Sequence, residues 1–264
     1  MRDILEMPQK LTQGTIFSNA KSYYFSQDVY GLIISGRCDI ENAHFNTFLY
    51  LPIIDLKKWF YTFLVPKISR KNAYDTQREI QMKFTENNLS MNALKYIDRN
   101  ELLNKHFKKS ERSQIEKYFE KIDCFNKISS GTMCTSNLKN ELSEKELEVY
   151  MKEIMRLLDN NFNGFFYLEN VDYYVQKKGD QHHFVIILNE VQTLPLEAAN
   201  CLCDGINLLQ NQRFKQYFGN DDYTLALSTV KSPYIEYIIQ YYTSLFRIGI
   251  DRASIINYDF LFEE

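Results

Sequence analysis

Tyr30-Gly31-Leu32-Ile33-Ile34-Ser35-Gly36-Arg37-Cys38-Asp39-Ile40 ends an apolar run on small residues and then delivers a thiol beside a carboxylate. His44 follows five residues beyond Asp39. A loop that folds back here brings together nucleophile, base and orienting carboxylate, the groups of a cysteine-dependent hydrolase or transferase, because an imidazole can remove the thiol proton. Such constellations are defined by geometry and not by spacing. The same residues are also those of a buried cysteine ending a strand, an Asx turn at Asp39 and a surface histidine.

Three further groups carry polar chemistry. In the closing stretch, Glu236, Gln240, Thr243 and Arg247 fall at helical spacing opposite the apolar Ile235, Ile238, Ile239, Tyr242, Leu245 and Phe246. That stripe suits a partner, or a ligand phosphate held by Arg247, or plain solvation. Lys105, Lys108, Lys109 and Arg112 alternate with Phe107, Tyr118 and Phe119, the mixture that tracks single-stranded nucleic acid by charge and stacking. Glu111, Glu116, Glu120 and Asp123 dilute that field. His182 and His183 are adjacent, so on a strand they face opposite ways and chelate one metal poorly; Glu190 or Asp172 is a possible neighbour for either.

The elements that must position these groups fall into three regions: strands over 1–54, helices over 55–159, and strands followed by a helix over 160–264. Strands are expected at Gln13–Phe17, Val29–Ser35 and Asn46–Leu51, the last closed by Pro52. A helix over Asp55–Leu64 is expected to stop at Pro66, with further helices at 74–84, 100–107 and 110–125. Ser143-Glu144-Lys145-Glu146 is a capping box opening a helix whose apolar face is Leu147, Met151, Ile154 and Leu158. Later come strands at Gly164–Leu168 and His183–Val191 around a Lys178-Gly179-Asp180 turn, then Tyr223–Val230, then a helix with Ser232 as cap and Pro233 in its first turn. The expected class is α+β: a small bent or barrel-like sheet, a central helical insertion and a C-terminal helix, with the two strand regions able to share one sheet.

Composition narrows the function classes. The 264 residues carry a net charge of -3, which opposes a global nucleic-acid-binding field. Five cysteines, one an odd remainder, do not form a disulfide framework, and Cys201 and Cys203 are spaced for neither zinc nor a redox pair. No apolar run reaches the length of a membrane span and the first residues lack a leader's apolar core, so a soluble cytoplasmic protein is expected. Phosphate-loop, dinucleotide, zincin and nucleophile-elbow motifs are missing, and neither cofactor nor metal is expected. Nineteen tyrosines and nineteen phenylalanines fit either a partner-binding surface or an AT-rich coding sequence.

Gln13-Gly14-Thr15-Ile16-Phe17 and Ser35-Gly36-Arg37-Cys38-Asp39-Ile40, with Ser232-Pro233-Tyr234, Gln240 and Phe246-Arg247-Ile248-Gly249 at the far end, resemble a pattern in uncharacterised bacterial proteins that open with Gln-Gly-x-Ile-Phe and Cys-Asp. The resemblance covers about a tenth of the chain, implies a bacterial or phage origin and assigns no catalytic residue. Together these observations lead to a non-catalytic protein-interaction component of a bacterial multi-gene system, such as phage defence or toxin–antitoxin pairing. The alternatives are the Cys38 enzyme and single-stranded nucleic-acid binding.

Overall fold

The computed structural model describes residues 4–42, 46–131, 142–179 and 182–245. The fold is α+β: a curled half-barrel sheet, a central helical insertion and a C-terminal helix. Early strands are β1 (Leu5–Glu6), β2 (Thr15–Phe17), β3 (Tyr30–Ile33) and β4 (Thr47–Asp55), with the short helix α1 (Arg37–Glu41) between β3 and β4. Late strands are β5 (Phe165–Glu169), β6 (His183–Ile187), β7 (Gln192–Pro195) and β10 (Ala226–Val230). All eight join one antiparallel sheet in the order β1-β10-β2-β3-β4-β6-β5, with β7 also on β4. A separate two-stranded ladder pairs β8 (Ile206–Asn207) with β9 (Tyr223–Thr224).

Both faces of the sheet are covered, so its strands read as continuous apolar runs and not as alternating ones. Phe48, Tyr50 and Ile54 of β4 enter one core with Ile33, Val185 and Ile187, while Leu51 and Ile53 enter the other with Leu32, Phe184 and Ile186. The insertion covers the first face through Trp59, Leu64, Val65, Ile68, Tyr150 and Leu157. The last helix, α9 (Tyr234–Ser244), covers the second through Ile235 and Ile238. At the centre Gly31 lets two core rings meet: a β-carbon there would overlap Phe17, whose ring packs edge-on against Tyr50 at 5.1 Å.

Two prolines behave differently from the sequence expectation. β4 continues through Pro52. Alternate residues of a strand aim their amides to opposite sides, and Leu49 bonds toward β3, so position 52 faces β6 and β7. Pairing with β7 ends at Tyr50 and pairing with β6 begins at Ile53, leaving Pro52 at a gap that demands no donor. Pro66 likewise does not end its helix. α2 (Leu56–Trp59) passes through a π-helical turn (Phe60–Leu64) into α3 (Val65–Glu86). The Val65 amide bonds the Phe60 carbonyl five residues back, and that widened turn takes in the proline ring without breaking the axis.

The insertion continues with α4 (Arg99–His106), α5 (Lys109–Ser129) and α6 (Glu144–Leu158). α3, α4 and α5 bury a third core of their own, including Ile80, Phe84, Leu102, Phe107, Ile115 and Phe119. Glu146 closes the capping box on Ser143 as expected, accepting its backbone amide at 2.8 Å. The buried face of α6 is turned from expectation, however: Tyr150 is buried through a 3.0 Å hydroxyl contact with Ser69, and Met151 is exposed.

Between β5 and β6 the chain does not make a tight hairpin. Gly179 instead ends the helix α7 (Tyr173–Lys178) in the left-handed conformation, φ 84°, that glycine tolerates without cost; Asp180 lies outside the described residues. The expected strand His183–Val191 stops at Ile187 as β6, and β7 begins just beyond the expected range at Gln192. α8 (Leu196–Asn200) then leads into β8. Ser232 does not cap α9: Pro233 occupies that position, and the Lys231 carbonyl accepts the Tyr234 amide at 2.8 Å. No helix among the described residues is long and apolar enough to cross a membrane.

Candidate functional site

The early thiol segment lies against the last helix. Gly36 starts α1 in extended backbone, and Arg37 reaches from α1 to Glu236 on α9 at 3.1 Å. Lys10 holds the other end of α1 through Glu41 at 2.9 Å. The Asp39 carboxylate turns back over Gly36, and Cys38 is exposed, which overturns the buried strand-end reading. Neither Cys38 nor Asp39 lines a described cavity. His44 and Arg247 lie outside the described residues. Glu236, the first member of the polar stripe, is occupied by Arg37; Gln240 is exposed, its carbonyl accepting the Thr243 hydroxyl at 3.1 Å. Cys203 is no better a nucleophile, since burial and then the Asp204 charge push its thiol up.

The basic segment is built as a helix corner. The Arg112 guanidinium is spent on the Phe107 carbonyl at 2.7 Å and on the Asn104 side chain and carbonyl at 2.6 and 2.7 Å. Lys105, Lys108 and Lys109 are exposed, but Phe107 and Phe119 are buried in the insertion core, where no base can stack on them.

His182 and His183 reach neither of the carboxylates expected of them. Asp172 caps α7 by accepting the Tyr174 and Val175 amides. His183 Nδ1 instead meets the Tyr167 hydroxyl at 2.7 Å across the β5–β6 pair. Burial, and then the Glu169 charge, push the Tyr167 hydroxyl up to about 12, so it stays protonated at neutral pH. A proton held more tightly in the folded state stabilises it fully below the ordinary tyrosine value of 10.0, and that contribution is lost as pH rises toward 12. Urea midpoints therefore fall across this window, and Tyr167→Phe makes the fall shallower. Among the described residues no cluster of three His, Cys, Asp or Glu is placed to hold a metal.

Glu190 proves to be the keystone of a different structure. It is only 3% exposed, and its carboxylate accepts the Ser22 hydroxyl at 2.9 Å, the Tyr23 amide at 2.5 Å and the Gln192 side chain at 2.9 Å. The loop 20–28 is braced from several other sides. Buried Tyr50 donates its hydroxyl to the Lys21 carbonyl at 3.1 Å and accepts the Lys21 amide at 3.2 Å. Asn220 bonds the Ser26 carbonyl at 3.0 Å, Lys58 pairs with Asp28, and the Tyr24 ring packs edge-on against Phe63 at 5.2 Å. This frame presents Tyr23 at 80% exposure beside a cavity of about 310 Å³ lined by Tyr24, Phe25, Phe218 and Asn220. Sequence reasoning missed this site. Its signals were a lone acid closing the apolar run Phe184–Leu188, and tyrosines set between Ser22 and Ser26, the composition of adaptable recognition loops.

Searches against protein-family models, curated proteins and solved structures found no match to this chain.

Proposed function

We propose that the chain is a non-catalytic protein-interaction component, working in the cytoplasm within a bacterial multi-gene system of the phage-defence or toxin–antitoxin kind, and that the loop 20–28 is its contact surface. The carrying observation is the Glu190 carboxylate, buried and triply hydrogen-bonded, which fixes the backbone beneath an almost fully exposed Tyr23. A loop ordered before the encounter loses little entropy on binding, and tyrosine offers wide amphipathic contact from few rotatable bonds. The partner is another protein, one that seats a side chain in the cavity beside Tyr24.

Co-purification of the tagged chain from its native host tests this. The wild type is expected to retain a defined partner, and Tyr23→Ala/Tyr24→Ala to lose it by about tenfold or more, the scale of truncating an interface anchor. Gln240→Ala is expected to keep it. A monomer that captures nothing specific, or a partner indifferent to both tyrosines, overturns the proposal.

The Arg37–Glu236 pair favours one second reading, a cysteine-dependent hydrolase or transferase, because it holds the Cys38 helix against α9. An activated thiol alkylates well below the pH at which an ordinary one does. With iodoacetamide at pH 6, Cys38 is expected to label no faster than Cys201, which is also exposed. Selective labelling of Cys38 restores the enzyme reading.

A further inference from the structure

Apart from the tyrosine loop, a second cavity lies where the insertion meets the β6 end of the sheet. Its volume is about 390 Å³, within the range of small-molecule sites, and its walls include Asp55, Lys57, Phe60, Tyr61, His182 and His183. The aromatic wall exists because of the π-helical turn, which begins at Phe60; such turns recur at functional sites because the widened helix re-aims its side chains. The Phe60 and Tyr61 rings stand edge to face, centroids 5.0 Å apart at 74°, and form a corner against which a flat ring can pack.

The polar groups are complementary to an anion. Lys57 makes no ion pair among the described residues, whereas Lys58 is paired with Asp28 and Lys67 lies over the Phe162 ring. Asp55 opposes Lys57 in charge, but its Oδ1 caps the helix, accepting the Lys57 amide at 2.8 Å and the Lys58 amide at 3.2 Å, so its charge is partly offset by the helix dipole. Its second oxygen is left to accept from a ligand hydroxyl or amine. Tyr167 fixes the His183 ring through Nδ1. The His182 imidazole has no partner among the described residues; its backbone alone is engaged, the amide donating to the Asn170 side chain at 3.0 Å and the carbonyl accepting the Asn170 amide at 2.9 Å. An ammonium, two imidazoles and an aromatic corner lining one cavity are what a planar ring joined to a phosphate requires.

We propose that this cavity binds a small molecule of that kind, a nucleoside monophosphate or a close chemical relative. The site shares no lining residue with the cavity beside the loop 20–28. Calorimetric titration with AMP, GMP, CMP and UMP tests it, read in parallel by the emission of Trp59, the chain's one tryptophan and the neighbour of Phe60. At least one nucleotide is expected to bind with a dissociation constant below about 1 mM, with adenosine and inorganic phosphate each weaker by about tenfold or more. Lys57→Ala, at an exposed position where folding is insensitive, is expected to weaken the nucleotide by about tenfold while leaving adenosine unchanged. Tyr61→Leu is expected to weaken nucleotide and nucleoside alike. Tyr23→Ala/Tyr24→Ala is expected to bind nucleotide as the wild type does. Absence of binding by all four nucleotides overturns the proposal, as does inorganic phosphate binding as tightly as AMP or a Lys57→Ala protein that binds normally.

Discussion

Glu190→Ala is expected to lower the unfolding free energy by about 3 kcal/mol and to abolish partner capture. The carboxylate is buried, and its removal takes the charged acceptor from the Ser22 hydroxyl, the Tyr23 amide and the Gln192 side chain at once. Buried donors that lose a charged acceptor cost far more than the net worth of an ordinary hydrogen bond. The loop then samples many conformations, and each must be given up when the partner binds. Urea denaturation measures the first effect. Hydrogen exchange at the Tyr23 amide separates a loosened loop from a globally unfolded chain. An exchange rate unchanged from wild type would show that Glu190 does not order the loop.

Trp59→Ala is expected to cost still more, about 4 kcal/mol. The indole is fully buried, edge-on to both Phe162 and Phe165 at 5.4 Å, and it ties the start of the insertion to the sheet. Alanine leaves a void that rigid neighbouring rings cannot fill. Trp59→Phe separates packing from polarity. Among the described residues the buried indole Nε1 has no hydrogen-bond partner, so phenylalanine removes an unsatisfied donor while keeping most of the ring volume. That variant is expected to lose less than about half as much. Equal losses for the two variants in urea denaturation would mean that the nitrogen contributes favourably where it stands.

Much of the fold was legible because it is written locally. Ile16-Phe17, Leu32-Ile33 and Phe48 to Leu51 announce strands by apolar content, and Ser143 with Glu146 announces a helix start by reciprocal hydrogen bonding. The misread features depend on distant partners. Pro52 is harmless only because β6 and β7 leave a gap beside it, which no residue near position 52 encodes. Met151 and Tyr150 compete for the core within one helical turn, and Ser69, far away in sequence, decides for the tyrosine. Of the site, Cys38 and Glu236 were singled out separately, and the Arg37–Glu236 ion pair that holds their two helices together was not. Glu190 stayed hidden because the groups it binds, Ser22 and Tyr23, lie 168 and 167 residues away.

β10 lies between β1 and β2, pairing Val230 with Leu5 and Thr229 with Thr15. During translation, therefore, β1 has no strand partner until β10 has left the ribosome, a delay on the order of ten seconds at ordinary elongation rates. For that interval the nascent amino-terminal segment exposes unpaired strand edges, and a chaperone or a co-translated companion would find its longest opportunity there.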